Sequence, residues 1–428
     1  MQILKRDGRK VEFDRQKIVN AIKKSFKSVD GEVSDYASEK AENIADYITQ
    51  RVNESDKPFD VEMIQDLVEH GLMSCKRKDV AKAYILYRDE RNRSREERTD
   101  LIKTVKEKLK ASNVVNQNAN VDERSFGGRM GEATSAMTRK LALDYVLSPM
   151  AKANHLNNEI YEHDLDHYIV GDHNCLSFPI DDALKNGFNT RQTDVRPAKS
   201  IGTAFQLLAV CFQLQSLSQF GGVSATHLDW TMVPYVRKSF YKHYVEVAKF
   251  MKLNVKDINV DNISIDDKFY KGYHWWNFRH KLAYNEAMKL TIKETNQAVE
   301  GMYHNLNTLQ SRSGNQLPFT SINYGTCTLT EGRMVIKALL EASIDGVGAL
   351  HKTSIFPCGI FQCMKGVNRK QGNPNYDLFK LAIKSTSLRL YPNYANVDWS
   401  VNVGYNKNDP REYMATMGKR KLSPSKII

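Results

Sequence analysis

The sequence predicts an α/β fold in which a mainly helical N-terminal region precedes helices that alternate with buried strands. At 428 residues with 41% hydrophobic content, the chain is long enough for two domains with substantial cores. Helix-like periodicity covers residues 201–220, 280–309, 334–346 and 376–390. Strand-like segments lie between some of these helices, at residues 317–324 (LPFTSINY) and 353–363 (TSIFPCGIFQC). Helices and strands that alternate in this way predict parallel strand pairing.

The first 92 residues predict a β-hairpin followed by helices. Apolar-bearing segments at residues 2–4 and 11–13 flank Asp7-Gly8, a dipeptide that supplies the positive φ of a tight turn. Asp14 is the expected N-cap of a helix over residues 15–26. Further helices are expected over residues 34–52, 60–75 and 80–91.

A change in composition marks the expected domain boundary. Residues 91–98 (RNRSREER) and 104–110 are rich in charge and poor in apolar side chains, as in a solvated connecting helix or linker. We therefore expect one domain over residues 1–92, a linker over 93–117, a second domain over 118–418 and an atypical basic tail over 419–428. The second domain is expected to begin with a polar loop before a helix over residues 133–154.

Composition also limits the classes of protein. A net charge of +12 suits nucleic acid, an anionic surface or small polyphosphate ligands equally. The six cysteines form no CxxC pair, so we expect neither a zinc site nor a disulfide framework, and a reducing cytoplasm fits best. The N-terminus lacks the apolar stretch of a secretory signal, and we expect a cytoplasmic protein that is not bound to a membrane.

The hairpin carries the first candidate binding residues. Lys5 and Arg6 flank the turn, and Lys17 lies on the helix that follows, so the three cations can converge on a triphosphate. The alternative for an isolated KRDG turn is a solvated basic hairpin.

The second set of candidates lies in EHDLDHYIVGDHNCLSFPI, residues 162–180. Its histidines and aspartates have the residue types of a metal site, but they can equally satisfy backbone groups around a loop, and we favour the reading without a metal. Cys175 in this run is either a small core residue or a reactive thiol.

Several stretches together resemble one enzyme family. LKRDGRKVEFDRQKI resembles the ATP-cone found at the front of ribonucleotide reductases. NANVDERSFGGRMGEA (118–133), HDLD with NCL (163–176), LPFTSINYGT (317–326) and the run from IFPCGIFQC to RLYPN (355–393) resemble the catalytic domain of anaerobic, glycyl-radical ribonucleoside-triphosphate reductases. The resemblance implies an ATP-cone joined to an incomplete ten-stranded α/β barrel.

The resemblance also implies functions for particular residues. Lys5, Arg6 and Lys17 would bind ATP or dATP as allosteric effectors. Cys175 would be the active-site cysteine that acts with formate, and Asn174 and His163 would orient substrate or reductant. Ribonucleoside triphosphates are the implied substrates. The implied partners are a second copy of the chain, contacted through the apolar helix over 201–220, and an iron–sulfur activating protein that uses S-adenosylmethionine.

The sequence departs from the family pattern near its end. Where the family carries MGCR, whose cysteine becomes the thiyl radical, this chain has Met417-Gly418-Lys419-Arg420. Lysine cannot form a thiyl radical, and the glycyl-radical loop with its usual four-cysteine zinc site is not present in these 428 residues. A split gene, readthrough into an intervening sequence and a degenerate copy all remain open explanations.

Two rival functions follow from these departures. The chain could be a catalytically inactive regulatory fragment that binds nucleotides through the cone. It could instead bind nucleic acid through its positive charge, but the zinc ribbon of cone-bearing repressors is missing and no interleaved aromatic and basic pattern is seen, so we expect no direct contact with nucleic acid.

Overall fold

The protein is described by a computed structural model that forms two compact units, residues 1–104 and 105–428. The structure describes residues 2–5, 8–55, 59–110, 125–171, 175–190, 192–219, 221–255, 264–266, 278–311, 316–399, 404, 406, 409–410 and 412–413. The run 416–420 and the tail 419–428 lie outside the described residues, and the domain boundaries drawn from sequence stay predictions.

The N-terminal unit is a β-hairpin followed by helices, as the sequence predicts. Strands β1 and β2 pair antiparallel, with Ile3 opposite Val11. The elements are β1 (Gln2–Leu4), β2 (Lys10–Glu12), α1 (Arg15–Asp30), α2 (Asp35–Asn53), α3 (Val61–Ser74) and α4 (Lys78–Lys110).

Side-chain caps set where the first three helices begin. The carboxylate of Asp14 accepts a hydrogen bond from the Gln16 N–H (3.1 Å), which confirms the predicted N-cap of α1. Ser34 and Asp60 cap α2 and α3 in the same way, at 3.2 and 2.8 Å. Each cap satisfies one of the N–H groups that a helix start leaves without a partner, and is worth about 1 kcal/mol.

The core of this unit comes from one face of each helix. Ile22 and Phe26 of α1, Ile48 of α2 and Leu72 of α3 are fully buried in a single apolar cluster. Burying each such side chain contributes roughly 1.5–3 kcal/mol.

Helix α4 is longer than the sequence predicts. We expected it to end near Arg91, but it continues to Lys110. Residues 92–110 contain no glycine or proline and are rich in Glu, Lys and Arg, which are good helix formers. Of the two alternatives for the charged residues 91–98 and 104–110, a solvated connecting helix or a linker, the structure has the helix.

The second unit contains helices over most of its length. They are α5 (Phe126–Leu141), α6 (Pro149–Leu156), α7 (Leu165–Tyr168), α8 (Ile180–Asn186), α9 (Ile201–Ser218), α10 (Leu228–Thr231), α11 (Val233–Phe250), α12 (Phe278–Thr308), α13 (Thr330–Asp345) and α14 (Tyr376–Leu388).

The helix expected over residues 133–154 is divided in the structure. A π-helical turn, Ala142–Val146, ends α5, and Ser148 caps α6 through the Ala151 N–H while Pro149 occupies its first turn. Proline is favoured at that position because its missing N–H would have no helical partner there.

Five parallel strands form the sheet of this unit. β3 (Leu176–Ser177), β6 (Val223–Ala225), β7 (Thr320–Tyr324), β8 (Cys358–Cys363) and β9 (Asn393–Asn396) lie side by side in that order. A separate antiparallel pair joins β4 (Phe188–Asn189) and β5 (Asp194–Val195). The strand-helix alternation and parallel pairing confirm the predicted α/β class.

The strand order explains why the two faces of the sheet differ. Each new strand adds beside the previous one without reversal, and right-handed crossovers then place the connecting helices on the same face. Val223, Ile322, Tyr324 and Phe361 point to that face and pack in one apolar cluster with residues of α9, α12 and α13. An α/β barrel closes with the same arrangement, its helices outside.

Helix α9 has the length and hydropathy of a membrane span, the one such helix among the described residues. Its side chains Phe205, Leu208 and Phe212 are fully buried in the core of the second unit. This burial accounts for the apolar character of the helix.

A buried carboxylate fixes the chain where β7 ends. Oδ2 of Asp229, fully buried on α10, accepts hydrogen bonds from the N–H groups of Gly325, Thr326 and Cys327 at 2.9–3.0 Å. Gly325 has φ +125°, and a Cβ there would lie 3.1 Å from the Gln362 carbonyl. Burial raises the pKa of Asp229, and these N–H donors oppose that shift.

Replacing Asp229 by alanine should strongly destabilise the second unit. Three buried N–H groups would lose their acceptor, at about 1–3 kcal/mol each before relaxation. The Asp377→Ala variant is the control, because that carboxylate is 60% exposed and forms one ion pair with Arg333; it should cost under about 1 kcal/mol. Urea denaturation followed by tryptophan fluorescence measures both, and equal midpoints for the two variants would contradict the expectation.

Candidate functional site

The Cys175 thiol lies at the start of strand β3. Its Sγ accepts a hydrogen bond from the Gly222 N–H at 3.4 Å, next to the pairing of β3 with β6, and the residue is exposed. Side chains alternate along a strand, so Cys175 lies on the same side as Ser177, two residues later. Ser177 pairs with Ser224, on the face of the sheet opposite the helices.

Apart from Ile360 on β8, the described side chains on that face of β6 and β7 and at Gln362 are polar, and this polar face is the candidate catalytic surface. Ser321 and Asn323 of β7 and Gln362 of β8 occupy it and are fully buried. Asn323 Nδ2 donates to Ser224 Oγ (3.2 Å) and to the Ala225 carbonyl (3.3 Å). Among the described residues neither amide atom of Gln362 has a hydrogen-bond partner. The sequence analysis missed this face, although the alternation in TSINY could have revealed it.

Of the two other predicted catalytic residues, the structure describes His163 but not Asn174. His163 is exposed; its Nδ1 hydrogen-bonds the Asp164 carboxylate, and its ring meets Tyr161 edge-on at 6.3 Å between centroids. Asn174 lies outside the described residues. The role of both residues therefore stays a prediction.

The carboxylates near His163 take part in local contacts. Asp166 accepts a hydrogen bond from Ser135 Oγ (2.6 Å) and lies 3.3 Å from His167 Nε2. Burial opposes ionisation of Asp166, but these two partners prevail and hold its pKa at about 2. Within the described part of the chain no group of three His, Cys, Asp or Glu side chains could hold a metal ion.

Cys175 is exposed, whereas Cys211 and Cys327 are buried and Cys358 and Cys363 are partly buried. Burial raises the pKa of Cys211 to about 12, and it also raises the pKa values of Cys327, Cys358 and Cys363. A thiol reacts as its thiolate, so these four are held in the unreactive form.

A second candidate site lies inside the N-terminal unit. A cavity of about 580 Å³ opens between α1 and α4, within the size range of small-molecule sites. Lys17, one of the three predicted phosphate ligands, lines it together with Lys24, Arg91 and Arg95. The last three were not predicted, and the two arginines lie in the charged run over residues 91–98 that was read as a connecting helix or linker.

Of the two predicted phosphate ligands in the hairpin, the structure describes Lys5 but not Arg6. Lys5 is exposed and closes the turn through its N–H, which donates to the Arg9 carbonyl at 2.8 Å. It is not among the described residues that line the cavity. Arg6 lies outside the described residues, so convergence of the three cations stays a prediction.

Together these features define a two-domain α/β protein with a basic cavity in a helical domain and an exposed thiol beside a polar sheet face. Residues 117–424 match the family model of anaerobic ribonucleoside-triphosphate reductase, and residues 1–93 match that of the ATP cone domain. The chain therefore belongs to the anaerobic ribonucleoside-triphosphate reductase family, and it carries an ATP cone.

Curated relatives agree with this family. The chain is 31% identical over 404 residues to the anaerobic ribonucleoside-triphosphate reductase of Haemophilus influenzae, covering 94% of this chain and 53% of that protein. It is 29% identical to the Escherichia coli enzyme, covering 94% and 52%. The chain thus spans about half the length of these curated relatives.

Solved structures include the anaerobic ribonucleotide reductase from Thermotoga maritima in complex with dATP and CTP. The similarity covers 65% of this chain and 44% of that one, at 13% identity and a TM-score of 0.42. At this level it adds nothing to the fold assignment, which rests on the family match and the observed topology.

Cys175 should be alkylated before the buried thiols. With iodoacetamide at pH 8, peptide mapping should show Cys211 and Cys327 reacting at least ~100-fold more slowly, because burial removes both access and thiolate. The Cys175→Ser variant should lose the fast-labelled peptide of the second unit and keep the slow ones. Labelling of Cys327 as fast as Cys175 would contradict the described burial.

Proposed function

We propose that this chain supplies the effector-sensing domain and part of the active site of a reductase that converts ribonucleoside triphosphates to deoxyribonucleoside triphosphates. In the proposed reaction formate is oxidised to CO₂, the 2′-hydroxyl leaves as water with one added proton, and hydrogen replaces it. Radical chemistry begins when a loop cysteine of the family, oxidised by a glycyl radical, removes the ribose 3′ hydrogen.

The exposure of the Cys175 thiol is the main observation that supports this proposal. It is exposed at the edge of the polar sheet face, beside buried side chains able to hydrogen-bond a ribose or a carboxylate. Cys175 would pass reducing equivalents together with formate, and Asn174 and His163 would orient substrate or reductant. The other four cysteines of the second unit are less suited because burial raises their pKa values.

Radical chemistry also needs residues that these 428 positions do not contain, whether they come from the same polypeptide or from a second one. An exposed apolar stripe on α5 supports a contact with the part of the reductase that carries those residues. Phe126, Met130, Met137 and Leu141 recur at intervals of four, seven and four residues, which places them along one helical face, and they are 41–77% exposed. We propose that this face packs against the part of the reductase that carries those residues.

We further propose a cytoplasmic homodimer that meets an iron–sulfur activating protein using S-adenosylmethionine. Leu214 and Leu217 near the end of α9 are exposed, which supports a contact between subunits through this helix. The helix otherwise packs into the core of its own unit.

The isolated chain should make no deoxynucleotide, because Lys419 cannot form a thiyl radical. Activity should require the C-terminal half of the reductase, anaerobic conditions, the activating protein and formate. In that mixture the Cys175→Ser variant should abolish turnover, and Cys75→Ser, in the N-terminal unit, should keep it. Deoxynucleotide formed anaerobically by the chain alone, measured by chromatography, would overturn this assignment.

The cone should bind ATP or dATP with micromolar to submillimolar affinity. Calorimetry on the full chain measures it, and the double variant Lys5→Ala with Arg6→Ala should weaken binding because two cations are removed from the triphosphate. No heat with either nucleotide would remove effector sensing from the proposal.

A catalytically inactive nucleotide-binding fragment is the second candidate function, and the basic cavity favours it independently of Cys175. Nucleotide binding without activity in the reconstituted mixture would select this alternative.

A further inference from the structure

Two buried side chains on the polar sheet face have no hydrogen-bond partner in the described part of the chain. Ser321 Oγ on β7 and both amide atoms of Gln362 on β8 are unpaired, and both residues are 0% exposed. Asn323, the next residue on that face of β7, is instead bonded to Ser224 Oγ and to the Ala225 carbonyl. Unpaired buried polar groups are rare in folded proteins, and a bound polar ligand can satisfy them.

The chemistry of the polar face selects the kind of ligand. None of its side chains within β6, β7 and β8 is charged: Ser224, Ser321, Asn323, Cys358, Ile360 and Gln362. A triphosphate or a carboxylate that leaves water needs cations or charge-assisted hydrogen bonds. Hydroxyl and amide groups match neutral hydroxyls and base edges instead, because each of them can both donate and accept. The face therefore suits the nucleoside part of a nucleotide.

The strand register gives the spacing of these groups. Ser321 lies in one row with Ser177, two strands or about 10 Å away, and Cys175 is two residues before Ser177. Ser321 also pairs with Cys358, and Gln362 is four residues further along β8, at about 13 Å. Two hydrogen bonds of about 3 Å each leave about 7 Å between the groups that they hold. Ser321 is thus the group nearer to Cys175, and Gln362 marks the far end.

Ile360 lies between the two ends. It precedes Gln362 by two residues on the same face of β8 and is 5% exposed. An apolar side chain at this position can contact the flat face of a ring. Along the strands the polar face therefore offers a hydroxyl near Cys175, an apolar contact and then a primary amide. A nucleoside has the same order, with its ribose hydroxyls at one end and the polar edge of its base at the other.

Resting on the proposed reductase function, we infer that the polar face holds the substrate nucleoside in one direction. Ser321 hydrogen-bonds a ribose hydroxyl near Cys175, and Gln362 hydrogen-bonds the edge of the base. The amide of Gln362 can turn either its N–H₂ or its oxygen toward the base, so it can pair with an amino or a carbonyl group. Ser321 positions the sugar that reacts, and Gln362 contributes to the affinity for the base.

Protection of Cys175 by cytidine tests the sugar end on the chain alone. Cytidine has no phosphate, so it does not report on a triphosphate site. Bound cytidine should slow the alkylation of Cys175 by iodoacetamide, and Ser321→Ala should raise the half-protecting concentration by ~10-fold or more. Thr320→Val is the matched control, because Thr320 Oγ1 is also buried without a partner among the described residues but lies on the face toward the helices. The control should leave protection unchanged.

The riboside of pyrimidin-2-one tests the base end, because it lacks only the 4-amino group of cytidine. The parent chain should be protected at a lower concentration of cytidine than of this riboside. Gln362→Leu should bring that ratio toward one, because it removes the group that recognises the edge of the base. Gln371→Leu, on an exposed turn, is the matched control and should keep the parent ratio.

The outcomes separate this inference from the proposed function. Labelling of Cys175 at the same rate with and without cytidine would overturn nucleoside binding on this face, whereas turnover by the reconstituted mixture tests the reductase function independently. Equal protection of the parent chain and the Ser321→Ala variant would overturn the role of Ser321. A ratio that Gln362→Leu does not move would overturn the orientation. Urea denaturation shows that the variants are folded, and Ser321→Ala should keep the parent midpoint because no described residue bonds its hydroxyl.

Discussion

The geometry of the second unit depends on one buried carboxylate. The Asp229 carboxylate accepts hydrogen bonds from three backbone N–H groups just after β7, where the chain leaves the sheet. Asn368 and Asn375 donate to carbonyls of the same loop, at Gly325 and Cys327, so its polar groups are paired from both sides. Through these hydrogen bonds the loop links the segments that follow β6, β7 and β8. A shift of the loop would therefore move the polar sheet face.

The same loop reaches a more distant segment through side chains. Thr326 Oγ1 lies 2.6 Å from the Tyr413 hydroxyl and 3.0 Å from Trp230 Nε1. Tyr413 is nearly buried, and burial raises its pKa. It lies four residues before Met417, the start of the run that was compared with the family's MGCR motif. The loop that Asp229 holds thus also contacts Tyr413, close to the last described residue of the second unit.

The sequence was sufficient for elements with strong local signals. Asp14 caps α1 as predicted, Gly8 in the predicted turn has φ +78°, and the helix over Tyr376–Leu388 ends within two residues of its predicted end. Strands β3, β6 and β9 were not predicted, because two to four residues carry too little periodicity and their pairing comes from tertiary contacts. Helix α11 was also missed.

The candidate sites show the same limit. Cys175 was found only through the family resemblance, because a cysteine beside a short strand has no spacing of its own. Arg91 was placed at the end of a predicted helix and Arg95 in the linker, and neither was predicted to bind phosphate, since charge density alone does not distinguish a solvated helix from one side of a cavity. Only the position of α1, opposite α4, turns those arginines into candidate phosphate ligands.

Buried polar groups in the second unit fall into two kinds, those with hydrogen-bond partners and those without one among the described residues. Asp229, Asn368 and Asn375 have bonded partners and hold the loop, as a buried polar network must if it is to stabilise a fold. Gln362, one strand away on the polar face, has no partner among the described residues for either amide atom, at a cost of about 1–3 kcal/mol per group. A core gains nothing from such a residue, because an apolar side chain would fill the same space. A surface that binds a polar substrate does gain from it, and Gln362 lies on the same face as Cys175.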